Sequence, residues 1–380
     1  MSSICEALIK TGETIGAIAK SNDLAASVPQ AGAHRVAGPV MLVALTMLLV
    51  VATMFAIGIG AYRIAPLDVF RILASTLGFD AGAYEPQQAA VLRTIRLPRV
   101  LLGLITGAGL GIAGALMQGL FRNPLADPTL IGVASGGALA AAFVIVLGAT
   151  WLPGAVSVLG PWTLPLAAFA GALAVTWLVY RIGDAEGILS LPIVLLAGIA
   201  LNALALAGVG LLSYVASAEQ LRNLTFWSFG SLAGGTWALV AAVAPFALAA
   251  IAFGLLLARP LNALALGETQ AGHLGVDVAR VKYTAIVLTA LAVGGLVAAT
   301  GVIGFIGLVA PHAVRLACGP DHRAVIPGAA LLGALLVVTA DVVARTVVAP
   351  AELPIGILTA GLGAPFFLTL LLRRRGQGGL

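Results

Sequence analysis

Arginines stand at positions 93, 96 and 99, every third residue, immediately ahead of a long apolar run. A guanidinium can fork onto a carboxylate through two parallel hydrogen bonds. Arg96 and Arg99, flanking a proline expected to start a helix at Pro98, could therefore grip an acidic-faced soluble partner at a membrane mouth. Anchoring to lipid headgroups is the plain alternative. A second constellation runs from Arg259 to Lys282. Its Leu261, Leu264 and Leu266, together with Gly267, Gly272 and Gly275, predict two short helices broken by glycine. The stretch is longer than a simple connection needs, and Glu268 and His273 would present polar groups to a docking protein. Two further segments stand out. One is Gln118-Gly-Leu-Phe-Arg-Asn-Pro-Leu-Ala-Asp-Pro128. The other is Gly304-Phe-Ile-Gly-Leu-Val-Ala-Pro-His312, followed by Gly319-Pro-Asp-His-Arg323 and Ala351-Glu-Leu-Pro-Ile-Gly356. Asn123-Pro124 can cap and stop a helix, so a plain turn is the simple reading there.

The residue inventory speaks against enzymes. There is no GxxxxGK[ST] phosphate loop, no HExxH and no GxSxG. His273, His312 and His322 show no metal-ligand spacing with one another or with Cys5 and Cys318, and no metal site is expected. No basic stripe interleaved with aromatics suggests a nucleic-acid partner. The chain is expected to carry no cofactor of its own.

The elements that must position these residues are membrane spans. Hydrophobic residues make up 61% of the 380 and charged ones 9%, against roughly 25% charged in an ordinary soluble domain. Apolar runs near 20 residues read as transmembrane helices and are too long for barrel strands. The expected fold is all-α, a polytopic membrane protein of about ten spans. These lie near 36–61, 97–121, 129–147, 164–180, 189–215, 232–257, 283–300, 304–317, 324–348 and 354–372, after an N-terminal tail over 1–35. The tail has Ile4, Leu8, Ile15 and Ile18 at helical spacing; it suits a membrane surface or a frayed end equally. The run from Tyr283 to Pro311 would be about 43 Å long as one helix, more than a hydrocarbon core of about 30 Å. Its glycines predict a break near Thr300 and a return through Gly304–Ala317. Basic loops favour the cytoplasm. Arg259, Arg280, Lys282 and the terminal Arg373–Arg375 all fall inside only if an even number of crossings separates them, which the break provides. Both termini are then cytoplasmic, and most of the 20 Lys and Arg residues lie inside. Arg93, Arg96 and Arg99 are the outer exception. Gly103, Gly107, Gly111 and Gly114 allow close helix approach and place the second span at the protein centre. Asp341 and Arg345, one turn apart, could pair.

Together the four segments closely resemble the permease subunits of ATP-driven importers for iron-siderophores, haem and vitamin B12, from about Val36 to the C-terminus. Phe226-Trp-Ser-Phe-Gly-Ser-Leu232 and Phe121–Pro128 look most like the haem permeases. The resemblance implies a homodimer in the bacterial inner membrane, lipid around it, two ATP-binding subunits and a periplasmic substrate-binding protein. ATP and Mg would be used by the partner ATPase. Arg96, Arg99 and Arg345 would receive acidic residues of the binding protein. Leu264, Leu266, Gly267, Glu268, His273, Leu274 and Gly275, within the 259–282 loop, would couple to the ATPase. Asn123 and Leu125 would form an inner gate, with a second constriction at Leu191 and Pro192. Vitamin B12 permeases carry small hydroxyl residues at that constriction, so this gate is expected to be shaped for another cargo. The implied activity is haem import by alternating access. Vitamin B12 or ferric siderophores are the alternative cargoes, and a self-sufficient secondary transporter is the weaker reading.

Overall fold

The structure is a computed structural model and describes residues 36–376 apart from 61, 63, 77, 80, 81 and 186. The helices, in chain order, are α1 (Gly38–Gly58), α2 (Pro66–Thr76), α3 (Pro86–Leu120), α4 (Val133–Trp151), α5 (Pro153–Leu159), α6 (Thr163–Gly183) and α7 (Leu191–Val215). They continue with α8 (Ala218–Ser228), α9 (Trp237–Leu256), α10 (Ala258–Ala265), α11 (Glu268–His273), α12 (Val278–Thr300), α13 (Ile306–Cys318), α14 (His322–Ala344) and α15 (Ile355–Gly376). Strands β1 (Asp184–Ala185) and β2 (Ile188–Leu189) form a small antiparallel hairpin with Asp184 opposite Leu189. Among the described residues eight helices are long and apolar enough to cross a membrane, and two shorter apolar helices, α13 and Ile355–Thr369 of α15, complete the set. The amphipathic tail expected over 1–35, and Cys5 within it, lie outside the described residues.

Glycine explains why α3 is central. A Cβ at Gly107 would run into the backbone of Gly333, one at Gly111 into the carbonyl of Ala329, and one at Gly114 into the carbonyl of Gly307. These positions let α3 lie against α13 and α14 at backbone distance, where longer side chains would hold them apart. Its apolar window is 78% buried, the highest share of any span, and Leu102, Leu116 and Met117 are fully enclosed. By contrast only 22% of the windows of α1 and α7 is buried, and their outward Leu, Val and Ile side chains suit hydrocarbon.

The long helices define two ends. Arg99 of α3 meets Asp341 of α14, while Gly119 of α3 lies against His322 of α14, so the two helices run antiparallel over their full length. About 20 residues separate Arg99 from Gly119, or about 30 Å along the helix. The chain from α12 onward shuttles between these ends. α12 stops at Thr300 with Gly301 at φ 71, and α13 starts after Phe305 at φ 68. The expected break in the 283–311 run is present. Thirteen helical residues in α13 span about 20 Å, and the link 301–305 adds up to about 16 Å, enough to return. The broken backbone packs against protein, as non-helical segments at membrane depth must: Ser231 N–H donates to Thr300 O at 2.7 Å, and Gly230 and Gly356 lie against the Val302 carbonyl.

The polar segment 62–96 holds α2 and the first part of α3. Pro98 stands in the first turn of the α-helical stretch Leu97–Leu120, as expected, but that stretch continues an existing rod: a π-helical turn over Leu92–Arg96 joins it to Pro86–Val91. Proline lacks an N–H and crowds the carbonyl four residues earlier; the wider turn is the local adjustment that carries the rod past it. α8 was not anticipated either. Its Ser217–Gln220 capping box is the local signal, with both reciprocal hydrogen bonds formed.

Candidate functional site: two polar ends of a helical bundle

At one end, three buried arginines converge from α3 and from the end of α14. The Arg99 guanidinium forks onto two carboxylates at once. Nε donates to Asp341 Oδ1 at 3.0 Å and Nη2 to the same oxygen at 2.8 Å, while Nη1 and Nη2 donate to Glu352 Oε1 and Oε2 at 2.8 and 3.0 Å. Asp341 and Arg345 do pair one helical turn apart, Oδ2 lying 3.4 Å from Nε, and Arg345 Nη2 donates to Ala56 O. Arg96 enters a cage of carbonyls: Nη1 donates to Ile57 O and Gly58 O at 2.7 Å each, and Nη2 to Tyr62 O. Gly60 packs on this guanidinium, where a Cβ would stand only 2.9 Å from Nη2. The cluster ties α1, α3, α14 and the 345–354 turn together.

The three arginines are buried, Arg96 4% and Arg99 and Arg345 7% exposed. In this structure all three are occupied by internal acceptors, because a buried guanidinium must find partners within the protein. Glu352, given no role on sequence grounds, is the component closest to the surface, its side chain 39% exposed. A lone acid two residues before a proline in an otherwise apolar turn was its only signal.

The opposite end carries the segment 259–282. α10 and α11 are the two short helices expected there, separated by Gly267 at φ 120, with Gly275 at φ 81 closing the second. Left-handed or otherwise forbidden backbone at both points favours glycine. Leu264 is buried at 2%, so it anchors α10, while Leu266 and Leu274 are 66% and 65% exposed and His273 stands out with them. Glu268 is held by Lys282, 2.7 Å away. α10 is pinned to α14 through Asn262, which donates to Asp321 Oδ1 at 2.7 Å and accepts from the His322 N–H at 2.9 Å. The Arg323 backbone N–H and the Asn262 amide hold the Asp321 carboxyl below its ordinary value.

The residues of the expected inner gate and of the second constriction sit at this same end, on separate elements. Asn123 is exposed and its Oδ1 accepts from the Leu125 N–H at 2.9 Å, an Asx-type turn. The adjacent Asp127 accepts from the Thr129 N–H at 2.8 Å and caps the short 3₁₀ helix Pro128–Ile131. That helix is the physical bridge to the second element: the Leu130 carbonyl fills the space where Gly198 of α7 lacks a side chain. Leu191 and Pro192 open α7, Leu191 packed against the core and Pro192 exposed. Arg315, which donates to Gln118 Oε1 at 2.6 Å, was not singled out; no sequence spacing pairs residues so far apart. No group of His, Cys, Asp and Glu among the described residues has metal-binding geometry. Met117 is fully buried packing.

A polytopic helical bundle with an arginine–carboxylate cluster at one end and a projecting pair of short helices at the other is the architecture of a transport permease. Residues 48–373 match the model of the FecCD transport family, and the chain belongs to that family. Among its relatives are the hemin transport system permease protein HmuU of Yersinia pestis and the vitamin B12 import system permease protein BtuC of Citrobacter koseri. HmuU is 44% identical over 90% of this chain and 98% of that protein, and BtuC 40% identical over 82% and 94%. The cobalamin import system permease protein BtuC of Halobacterium salinarum is 43% identical over 76% of this chain and 75% of its own length. A solved structure described as an inward-facing conformation of a metal-chelate type ABC transporter superposes with a TM-score of 0.76. It is 33% identical, over 88% of this chain and 99% of that one. The chain is thus a multi-pass membrane permease subunit of the ABC importer type.

Proposed function

We propose that this permease moves haem from a periplasmic binding protein to the cytoplasm of a bacterium, across the inner membrane. It works as a homodimer with two ATP-binding subunits that use ATP and Mg. The observation that carries the reading is the match to a hemin permease over nearly that protein's whole length. The geometry supports it at both ends. Leu266, His273 and Leu274 project from α10 and α11 and suit a groove on a motor subunit. At the outer end, Glu352 is the displaceable partner of Arg99, and an incoming acidic side chain of the binding protein would take its place. Asn123, Leu125, Leu191 and Pro192 act as the inner gate, moved with α7 and the 3₁₀ helix that rests on it. Vitamin B12 is the second reading, favoured by relatives at 40% and 43% identity.

The test is uptake into proteoliposomes holding this chain, its ATPase and its binding protein. ATP-dependent accumulation of hemin, with cobalamin and ferric siderophores excluded, is expected. Cobalamin or siderophore uptake without hemin would overturn the cargo. Uptake of any of them without the ATPase would overturn the importer reading in favour of a secondary transporter.

A further inference from the structure

Lys282 is a buried lysine, 6% exposed, near the start of α12. Its ammonium has three hydrogens to place. It donates to Glu268 Oε2 of α11 at 2.7 Å and to the Leu189 carbonyl of β2 at 3.1 Å. The β hairpin is in turn fastened to both helices it joins: the Ser190 N–H donates to Gly183 O at 3.0 Å, and the Ser190 carbonyl accepts from Val194 N–H of α7 at 3.0 Å. Gly183 is packed against Val194 of α7, where no side chain fits. One ammonium thus holds the projecting helix α11, the base of α12 and the hairpin from which α7 starts.

We infer that Lys282 is the strut that makes α11, the 184–189 hairpin and the start of α7 move as one body. This rests on the reading of α10 and α11 as the surface on which a motor subunit acts. A buried ammonium is tolerated only while its acceptors stay with it. Glu268 lies at the head of α11 and Leu189 two residues before α7. A displacement of α11 must therefore carry the hairpin along or leave a charge without partners in the protein interior. Besides the apolar anchors Leu261, Leu264 and Ala271, α10 has a polar attachment, Asn262 to Asp321 and His322, that leads to α14 and away from α7. Lys282 is a positioning residue: it transmits movement and touches no cargo.

Hydrogen exchange on the purified full chain tests the strut without any partner. Lys282→Met is expected to raise exchange at least tenfold in both 268–274 and 184–190, with Lys282→Arg restoring protection. Loosening of 268–274 alone, or of neither segment, overturns the strut. In the complex with the ATPase, spin labels at Thr269→Cys and Ala185→Cys, both exposed positions, should keep their separation between nucleotide-free and ATP-trapped states. In the Lys282→Met background that separation should change with nucleotide, while ATP hydrolysis continues and uptake falls at least tenfold. A separation that already changes in the parent protein overturns the strut. Failure of the chain to bind any ATPase would sink the importer reading and leave the exchange result standing.

Discussion

Replacing Asp341 distinguishes a structural clamp from a row of cations held ready for a partner. Asp341 is 2% exposed and receives Arg99 and Arg345, both nearly as buried. Asp341→Ala leaves Arg99 with its fork to Glu352, but Arg345 keeps no carboxylate among the described ion pairs, only the Ala56 carbonyl. Breaking a buried pair from one side costs about 3–5 kcal/mol, chiefly the penalty of the charge left behind. Asp341→Asn keeps one acceptor oxygen and aims an amide N–H at a guanidinium, so its cost should approach the about 1.5–3 kcal/mol of a hydrogen bond to a charged group. Glu352→Ala removes a carboxylate that water already reaches, and partly exposed pairs contribute only about 0–1 kcal/mol. The expected order of damage is Asp341→Ala, Asp341→Asn, Glu352→Ala. Equilibrium unfolding in mixed micelles, followed by tryptophan fluorescence, measures it. A loss below about 1 kcal/mol for Asp341→Ala, or an equal loss for Glu352→Ala, would refute the clamp.

Other outcomes follow from the same geometry. Gly111→Ala drives a methyl into the Ala329 carbonyl and should lower stability by about 1–3 kcal/mol, whereas Gly210→Ala on α7 meets nothing within 4 Å and should be neutral or stabilising by up to about 1 kcal/mol; thermal stability in detergent compares them. Leu274→Glu changes an exposed side chain, so it should leave the fold monodisperse on size exclusion yet cut co-purification of the ATPase at least tenfold. Leu264→Glu, at a buried position, should fail to fold. The Asp321 carboxyl sits below its ordinary value of 3.8, so its contribution is complete above that pH and lost as pH falls through the lower, folded value. The stability difference between the parent and Asp321→Asn should be constant near neutral pH and shrink only in strong acid.

Much of this architecture was legible in the residues because bilayer physics leaves few choices. Apolar runs without charge had to be helices, and the run over 283–311 was too long for one crossing and rich in glycine, so the break at Gly301 could be anticipated. Gly107, Gly111 and Gly114 announced the central helix through their spacing alone, since small residues are useful only where another backbone comes close. The two helices of 259–282 were readable from Gly267 and Gly275. The short helix α2 (Pro66–Thr76) could not be read from the sequence, because it carries too few turns to show a clear period. That the rod extends back beyond Pro98 could not be foreseen, because a π turn cannot be read from residue types.

The sequence by itself determined the class of protein, the central span and the broken return, since local composition sets solvent preference and backbone freedom. Only the tertiary structure decided which charges are paired. Arg99 finds Asp341 and Glu352 more than 240 residues away, and Lys282 finds Leu189 across 93. Whether an arginine is a waiting hand or a rivet depends on who stands within 3 Å of it, and that distance exists only after the helices have packed.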